Sequence, residues 1–280
     1  MSCKNGSGEA MIDWIAFLLA VATLALCLFL VWRFVGRKAR SRFVFAARLL
    51  LCLVLAVPIV GLGAWRFCNS RSMQVVGQIV NRVETTEPVV ALTFDDGPAP
   101  AATLQILRDL AVENVRATFF LIGSQVAAHP DSARALVAAG HEIGNHTNSH
   151  PRMLGLSQAH IADELESTDQ LIRQAGYDGA VHFRSPFAKK FVALPLYLWR
   201  TNRINVLWDV EPESDSDVNG DPARIVRHVI ENVRPGSIVL LHVMPPSRKA
   251  SLAAVPQIVS QLRARGFRFV TVSELLKLRT

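Results

Sequence analysis

Beyond Val89 the chain keeps one rhythm to its C-terminus: a short apolar run, then a longer amphipathic stretch. The apolar runs predict strands over Val89–Phe94, Ala117–Ile122, Glu142–Asn145, His182–Arg184, Asn205–Trp208, Ser237–His242 and Arg268–Thr271. Helical spacing falls between them, over Pro100–Glu113, Ser132–Ala139, Ser157–Ala175, Pro222–Val233 and Leu252–Arg265. The pairs Ala139-Gly140, Ala175-Gly176 and Arg265-Gly266 read as helix ends, because glycine takes the left-handed conformation there at no steric cost. Strand–helix alternation of this kind requires crossover connections, and so a parallel sheet, open or closed into a barrel. The predicted class is α/β.

The first 68 residues follow a different logic. Trp14 to Trp32 is nineteen residues without a charge, a helix rise of ~28 Å, close to the thickness of a bilayer's hydrocarbon. A second uncharged run covers Leu49 to Trp65, extendable back to Phe43. Between them Arg33, Arg37, Lys38, Arg40, Arg42 and Arg48 form a short basic loop, the kind that stays cytoplasmic. The expectation is a two-helix transmembrane hairpin (about 12–34 and 43–65) in a multi-pass cell-membrane protein. Loop 33–48 would be cytoplasmic, 69–87 a linker, and 88–280 an extracytoplasmic catalytic domain, with the lipid bilayer as a partner. Residues 1–65 hold five of the seven net positive charges, leaving +2 for the rest, so the high pI predicts no nucleic-acid partner. Cys27 and Cys52 lie inside the apolar runs, and Cys3 and Cys68 would share one face where a disulfide is permitted. With no cysteine after residue 68, thiol chemistry is excluded from the domain.

In parallel α/β folds function collects at the C-terminal strand ends. Here those ends run into Asp95-Asp96, His146, Arg184, Asp209 and His242. Two carboxylates at one mouth stay ionised cheaply only if a cation is shared. His146 and His150, four apart in His-Thr-Asn-Ser-His, can face one point. One carboxylate with two imidazoles makes a three-ligand set that leaves a metal position open to water, with Zn2+ the default and Co2+ or Ni2+ chemically possible. A non-haem iron oxygenase uses a similar set, but the second acid at Asp95 argues for hydrolysis.

Three segments carry a resemblance. Thr93-Phe94-Asp95-Asp96-Gly97-Pro98, Ala117-Thr118-Phe119-Phe120-Leu121-Ile122-Gly123 and Gly140 through Pro151 resemble the polysaccharide deacetylases, the NodB-homology domain of carbohydrate esterase family 4. Phe183-Arg184-Ser185-Pro186-Phe187 and Leu240-Leu241-His242 are similar to that family's later motifs. The resemblance implies a distorted (β/α) barrel with about seven parallel strands and metal-dependent removal of N-acetyl groups from a glycan. By the same resemblance, Asp96, His146 and His150 would hold the metal and Asp95 would be the general base. The backbone N–H of Phe187 would serve the oxyanion, His242 would protonate the leaving amine, and Arg184 would hold Asp95. The chain departs from the pattern at Phe187-Ala188 for Tyr-Gly, at Val243 for Asp, and in a fourth motif without its Trp. There Asp209, Glu211, Glu213 and Asp215 all remain open as partners for Arg184 or His242. Substrates in view are chitin oligomers, peptidoglycan or exopolysaccharide. Alternatives are a deacylase of a membrane glycolipid sugar and a non-catalytic glycan-binding protein. Lys189-Lys190 reads as a solvated pair, and Tyr197 and Trp199 as either sugar-stacking or helix-packing rings.

Overall fold

The computed structural model describes residues 15, 18–27, 29–30, 33 and 42–279, and the chain divides into two compact units, Met1–Gln74 and Val75–Thr280. In the first unit, residues 18–27 are helical, and a second helix runs over Arg42–Asn69 with Pro58 inside it. Among the described residues no helix is long and apolar enough to cross a membrane. The charge-free part of the second helix, Leu49–Trp65, rises only ~26 Å, short of the ~30 Å that hydrocarbon requires. This corrects the expected transmembrane hairpin, and with it the bilayer partner and the multi-pass membrane location of loop and domain. Cys3, any bridge to it, and parts of the first expected span and of loop 33–48 (residues 12–14, 16–17, 28, 31–32 and 34–41) lie outside the described residues.

The second unit is built on a parallel sheet. Its strands are β1 Gln78–Val80, β2 Val89–Asp95, β3 Thr118–Leu121, β4 Glu142–Asn145, β5 Ile204–Val206, β6 Ser237–His242 and β7 Arg268–Val270. The order is β4-β3-β2-β6 with β7 also beside β2, and β1 pairs with β5 separately. Every residue of β2 is buried, as expected of a central strand covered on both faces. One side packs Leu92, Phe94 and Phe119 against Ile106, Leu110, Val255 and Ile258 of the flanking helices. The other side gathers Val89, Ala91, Phe120, Val206 and Leu240.

The barrel is not closed. Between β4 and β5 the only links are single bridges, Asn145 to Phe183 and Phe183 to Asn205, and another single bridge joins Val210 to Val239. The strand expected at His182–Arg184 is therefore reduced to one bridging residue. Pro186 starts a short 3-10 turn just beyond it, and a proline has no N–H for a ladder. Seven strands form among the described residues, but β1 takes the place of that one, and it lies within the segment expected to be a linker.

Register fixes the mouth of the fold. β2 and β6 pair with Asp95 opposite His242, and β3 and β4 pair with Leu121 opposite Asn145, one residue before His146. The chemistry-bearing residues thus emerge on the same edge of one sheet.

Candidate active site

Asp95 and Asp96 leave β2 in different directions because Asp96 turns to φ +73° and Gly97 to φ +74°. The turn is tight enough that a Cβ on Gly97 would lie 2.5 Å from Met244 Cγ, so a glycine is required there. Asp95 points inward and is 2% exposed, and Asp96 turns toward the histidines.

The segment after β4 brings both imidazoles to Asp96. Thr147 and His150 each take a left-handed φ, +67° and +58°, which folds the loop back on itself. His146 Nε2 and His150 Nε2 lie 3.2 Å apart, and Asp96 Oδ1 is 3.5 Å from His150 Nε2 and 3.9 Å from His146 Nε2. His146 Nδ1 is 2.9 Å from the carbonyl oxygen of Arg184, so Nδ1 carries the proton and Nε2 presents its lone pair. Burial, and then the neighbouring His146, hold the His150 imidazole below its ordinary value, which keeps it neutral. Asp96 Oδ1 is buried with no hydrogen-bond donor. A buried carboxylate oxygen left without a donor beside two imidazole Nε2 atoms is costly unless a cation sits among them, and the three atoms lie within 4.8 Å of one another. These residues fit a divalent metal with oxygen and nitrogen ligands.

Arg184 is fully buried behind this group. Its Nη1 donates to Asp95 Oδ1 at 2.6 Å and Thr93 Oγ1 at 2.8 Å, while Nε donates to Val206 O at 2.9 Å and Nη2 to Leu207 O at 3.2 Å. Its guanidinium lies 4.0 Å from the Phe120 ring centroid. Burial pushes the Asp95 carboxyl up, but the Arg184 guanidinium, then His146 and His242, outweigh it and hold Asp95 below the usual carboxylate range. Asp95 is ionised at neutral pH.

His242 faces the pair from β6. The four acids left open by the sequence separate cleanly here. Glu213 accepts hydrogen bonds from His242 Nδ1–H, from the His242 backbone N at 3.0 Å, and from the Ser251 hydroxyl. Asp209 instead accepts from Ser237 Oγ and Ile238 N, Glu211 from Ser214 Oγ, and Asp215 from the backbone of Asp217. Burial would lower the His242 imidazole, but Glu213, and more weakly Asp95 and Asp96, push it up to about 9. His242 is therefore an imidazolium at neutral pH.

Phe187 borders the site with φ +56°, its ring edge-on to His150 at 4.7 Å between centroids, and half exposed. A 470 Å³ cleft runs between Ala102 on one wall and Val243, Met244, Pro245 and Leu252, from the segment that follows β6, on the other. Tyr197 is buried and donates to Glu166, a helix-packing role, whereas Trp199 is exposed. Lys190 is fully buried, correcting the solvated pair expected at Lys189-Lys190. Glu164, not anticipated from the sequence, meets the histidine loop from the helix Gln158–Gln174. No local motif marks it.

Comparison with known proteins agrees with this geometry. The family model for polysaccharide deacetylases matches residues 82–196. A peptidoglycan-N-acetylglucosamine deacetylase of Bacillus cereus is 34% identical over 211 residues, 74% of this chain and 97% of that protein. A chitooligosaccharide deacetylase of Sinorhizobium fredii is 35% identical over 199 residues, covering 67% of this chain and 92% of its own. Among solved structures, the Bc1960 peptidoglycan N-acetylglucosamine deacetylase superposes with a TM-score of 0.66 at 30% identity, over 70% of this chain and 91% of that one. Identity at this level across nearly the whole length of the relatives means common descent: the chain belongs to the polysaccharide deacetylase family, hydrolases of glycan N-acetyl groups.

Proposed function

We infer that the protein deacetylates an N-acetylglucosamine-type sugar within a glycan, with a divalent metal, Zn2+ by ligand type, held by Asp96, His146 and His150. The observation carrying this is the convergence of Asp96 Oδ1 and the two Nε2 atoms within 4.8 Å, with ionised Asp95 and protonated His242 on either side. When bound, such a cation acts as a Lewis acid that makes water a usable nucleophile near neutral pH.

Each remaining task falls to a residue of this chain. Asp95, aligned by Arg184, takes a proton from the water that attacks the acetyl carbonyl carbon. The backbone N–H of Phe187 donates to the carbonyl oxygen as negative charge develops there. His242, charged and oriented by Glu213, gives its proton to the sugar nitrogen as the C–N bond breaks, so that acetate and a free amine leave. The cleft between Ala102 and Leu252 gives room for the glycan beside the reacting sugar.

The test is acetate release from chitin oligomers and from peptidoglycan, with Zn2+ and with a chelator, for the wild type, Asp95→Asn and His242→Ala. The wild type with Zn2+ is expected to release acetate from at least one polymer, and the chelated enzyme and both variants to lose it. Retained turnover in any of those three refutes the assignment.

A further inference from the structure

The two candidate histidine ligands sit on a loop that ought not to hold its shape unaided. Thr147 and His150 are not glycines, yet both have φ in the left-handed region, at +67° and +58°. That conformation is strained for a residue with a Cβ, and threonine, branched there, tolerates it poorly. The conformation also brings the two imidazole Nε2 atoms to 3.2 Å from each other. Something outside the loop must overdetermine it.

Two neighbouring helices hold the loop. Gly123 N and Ser124 N, opening the short helix Gly123–Ala128, donate to Thr147 O at 2.9 Å and Asn148 O at 3.0 Å. Those bonds take up carbonyls, and within the loop Thr147 N donates to Asn145 Oδ1 at 2.8 Å and His150 N to Thr147 Oγ1 at 3.1 Å, which leaves Asn148 N and Ser149 N to be satisfied. From the helix Gln158–Gln174, the buried Glu164 meets them: Oε2 accepts from Asn148 N and Ser149 N, both at 2.8 Å, and Oε1 accepts from Ser149 Oγ at 2.6 Å. The half-exposed His160 has its Nε2 3.8 Å from Oε1. The three bonds fall on the two residues between Thr147 and His150, so one side chain spans the strained part of the loop.

We propose that Glu164 is a positioning residue that presets His146 and His150 for metal binding, acting through hydrogen bonds rather than through its charge. The proposal rests on the metal-site reading above. It concerns how tightly the cation is held, since Glu164 touches neither substrate nor the reacting atoms.

The experiment is competition of the full chain against a chromophoric chelator for Zn2+, with circular-dichroism melts of the metal-free protein. Glu164→Ala is expected to weaken Zn2+ binding by about 10–100-fold, the usual loss when a ligand's supporting partner is removed. Turnover should return to the wild-type kcat at saturating Zn2+. Glu164→Gln should restore most of the affinity, because its amide oxygen can accept from the two N–H groups while its NH2 donates to a reversed Ser149 hydroxyl. Ser149→Ala, which removes one bond and leaves the carboxylate, should lose a smaller share and serves if Glu164→Ala does not fold. A folded Glu164→Ala that binds Zn2+ as tightly as wild type overturns the proposal, and so does a Glu164→Gln as weak as Glu164→Ala. A wild type that binds no better than His150→Ala overturns the metal site itself, and this inference with it.

Discussion

The charge on His242 can be removed without removing its partner's shape. Glu213→Gln keeps an acceptor oxygen for Nδ1–H and one polar atom for Ser251, but takes away the negative charge that pushes the imidazole up to about 9. Losing that leading upward influence returns His242 toward its ordinary 6.5, a difference of 9 − 6.5 = 2.5, or ~3.4 kcal/mol between protonation states. At pH 6 both enzymes then hold most of their His242 as imidazolium, and kcat/KM differs by only ~1.3-fold on the Henderson–Hasselbalch fractions. At pH 8 the wild type keeps ~90% of its imidazolium and the variant ~3%, a ~30-fold deficit. A cation bound beside Asp96 lowers both values together and shifts the window to lower pH, but the gap between the two enzymes persists. Stability follows the same sign. His242 has a raised value in the fold, so its contribution is full below about 6.5 and is lost as pH rises through about 9. The wild type should therefore outlast the variant in thermal melts at pH 6 and lose that advantage above pH 9. The assay is acetate release across pH 6–9 for both proteins. A variant-to-wild-type ratio that stays flat over this range would refute the reasoning, since it would mean Glu213 orients His242 but does not charge it.

Three other perturbations test the rest of the site. Arg184→Met leaves the Asp95 carboxylate buried without its cation, and should cost ~3–5 kcal/mol in urea melts. Adding Asp95→Asn to that variant should recover much of the stability but no activity, and a double variant as unstable as the single one would place the cost in packing. Ala188 is buried at φ +55°, where a β-branched side chain is strained, so Ala188→Val should lose on the order of 2 kcal/mol and lower kcat by displacing the adjoining Phe187 N–H. Unchanged stability in that variant would mean the loop is softer than its packing implies. Ala102→Trp fills the 470 Å³ cleft and should raise KM for a long oligomer with little change in kcat, and an unchanged KM would remove the cleft from the substrate's path.

Much of this protein could be read without coordinates, and the limits have physical causes. Periodicity and residue type fix β2 and β6 nearly to the residue, since a strand buried on both faces is a nearly unbroken apolar run ending at its first ionisable group. The same strand ends announce Asp95, Asp96, His146 and His242, because nothing but a shared site explains so many ionisable groups at one edge. Gly97-Pro98 likewise marks a turn directly after the two aspartates. Hydropathy alone misleads in the first unit. It scores an apolar run without asking how much uncharged helix the run can supply across a bilayer, and among the described residues no helix is sufficient.

What only the tertiary structure decides is pairing across distance. Four acids between Asp209 and Asp215 are equivalent on paper. Glu213 becomes the partner of His242 because the loop after β5 carries it back over β6, while Asp209 is spent on Ser237 and Ile238. Glu164 lies fourteen residues beyond His150 on a separate helix, and its hold on the histidine loop exists only once that helix packs there. Open sheet or closed barrel is also a long-range matter, settled by whether single bridges at Phe183 and Val210 extend into ladders, and they do not. Local sequence sets conformational preference and burial within a few residues. Which charge meets which depends on chain segments that the fold alone brings together.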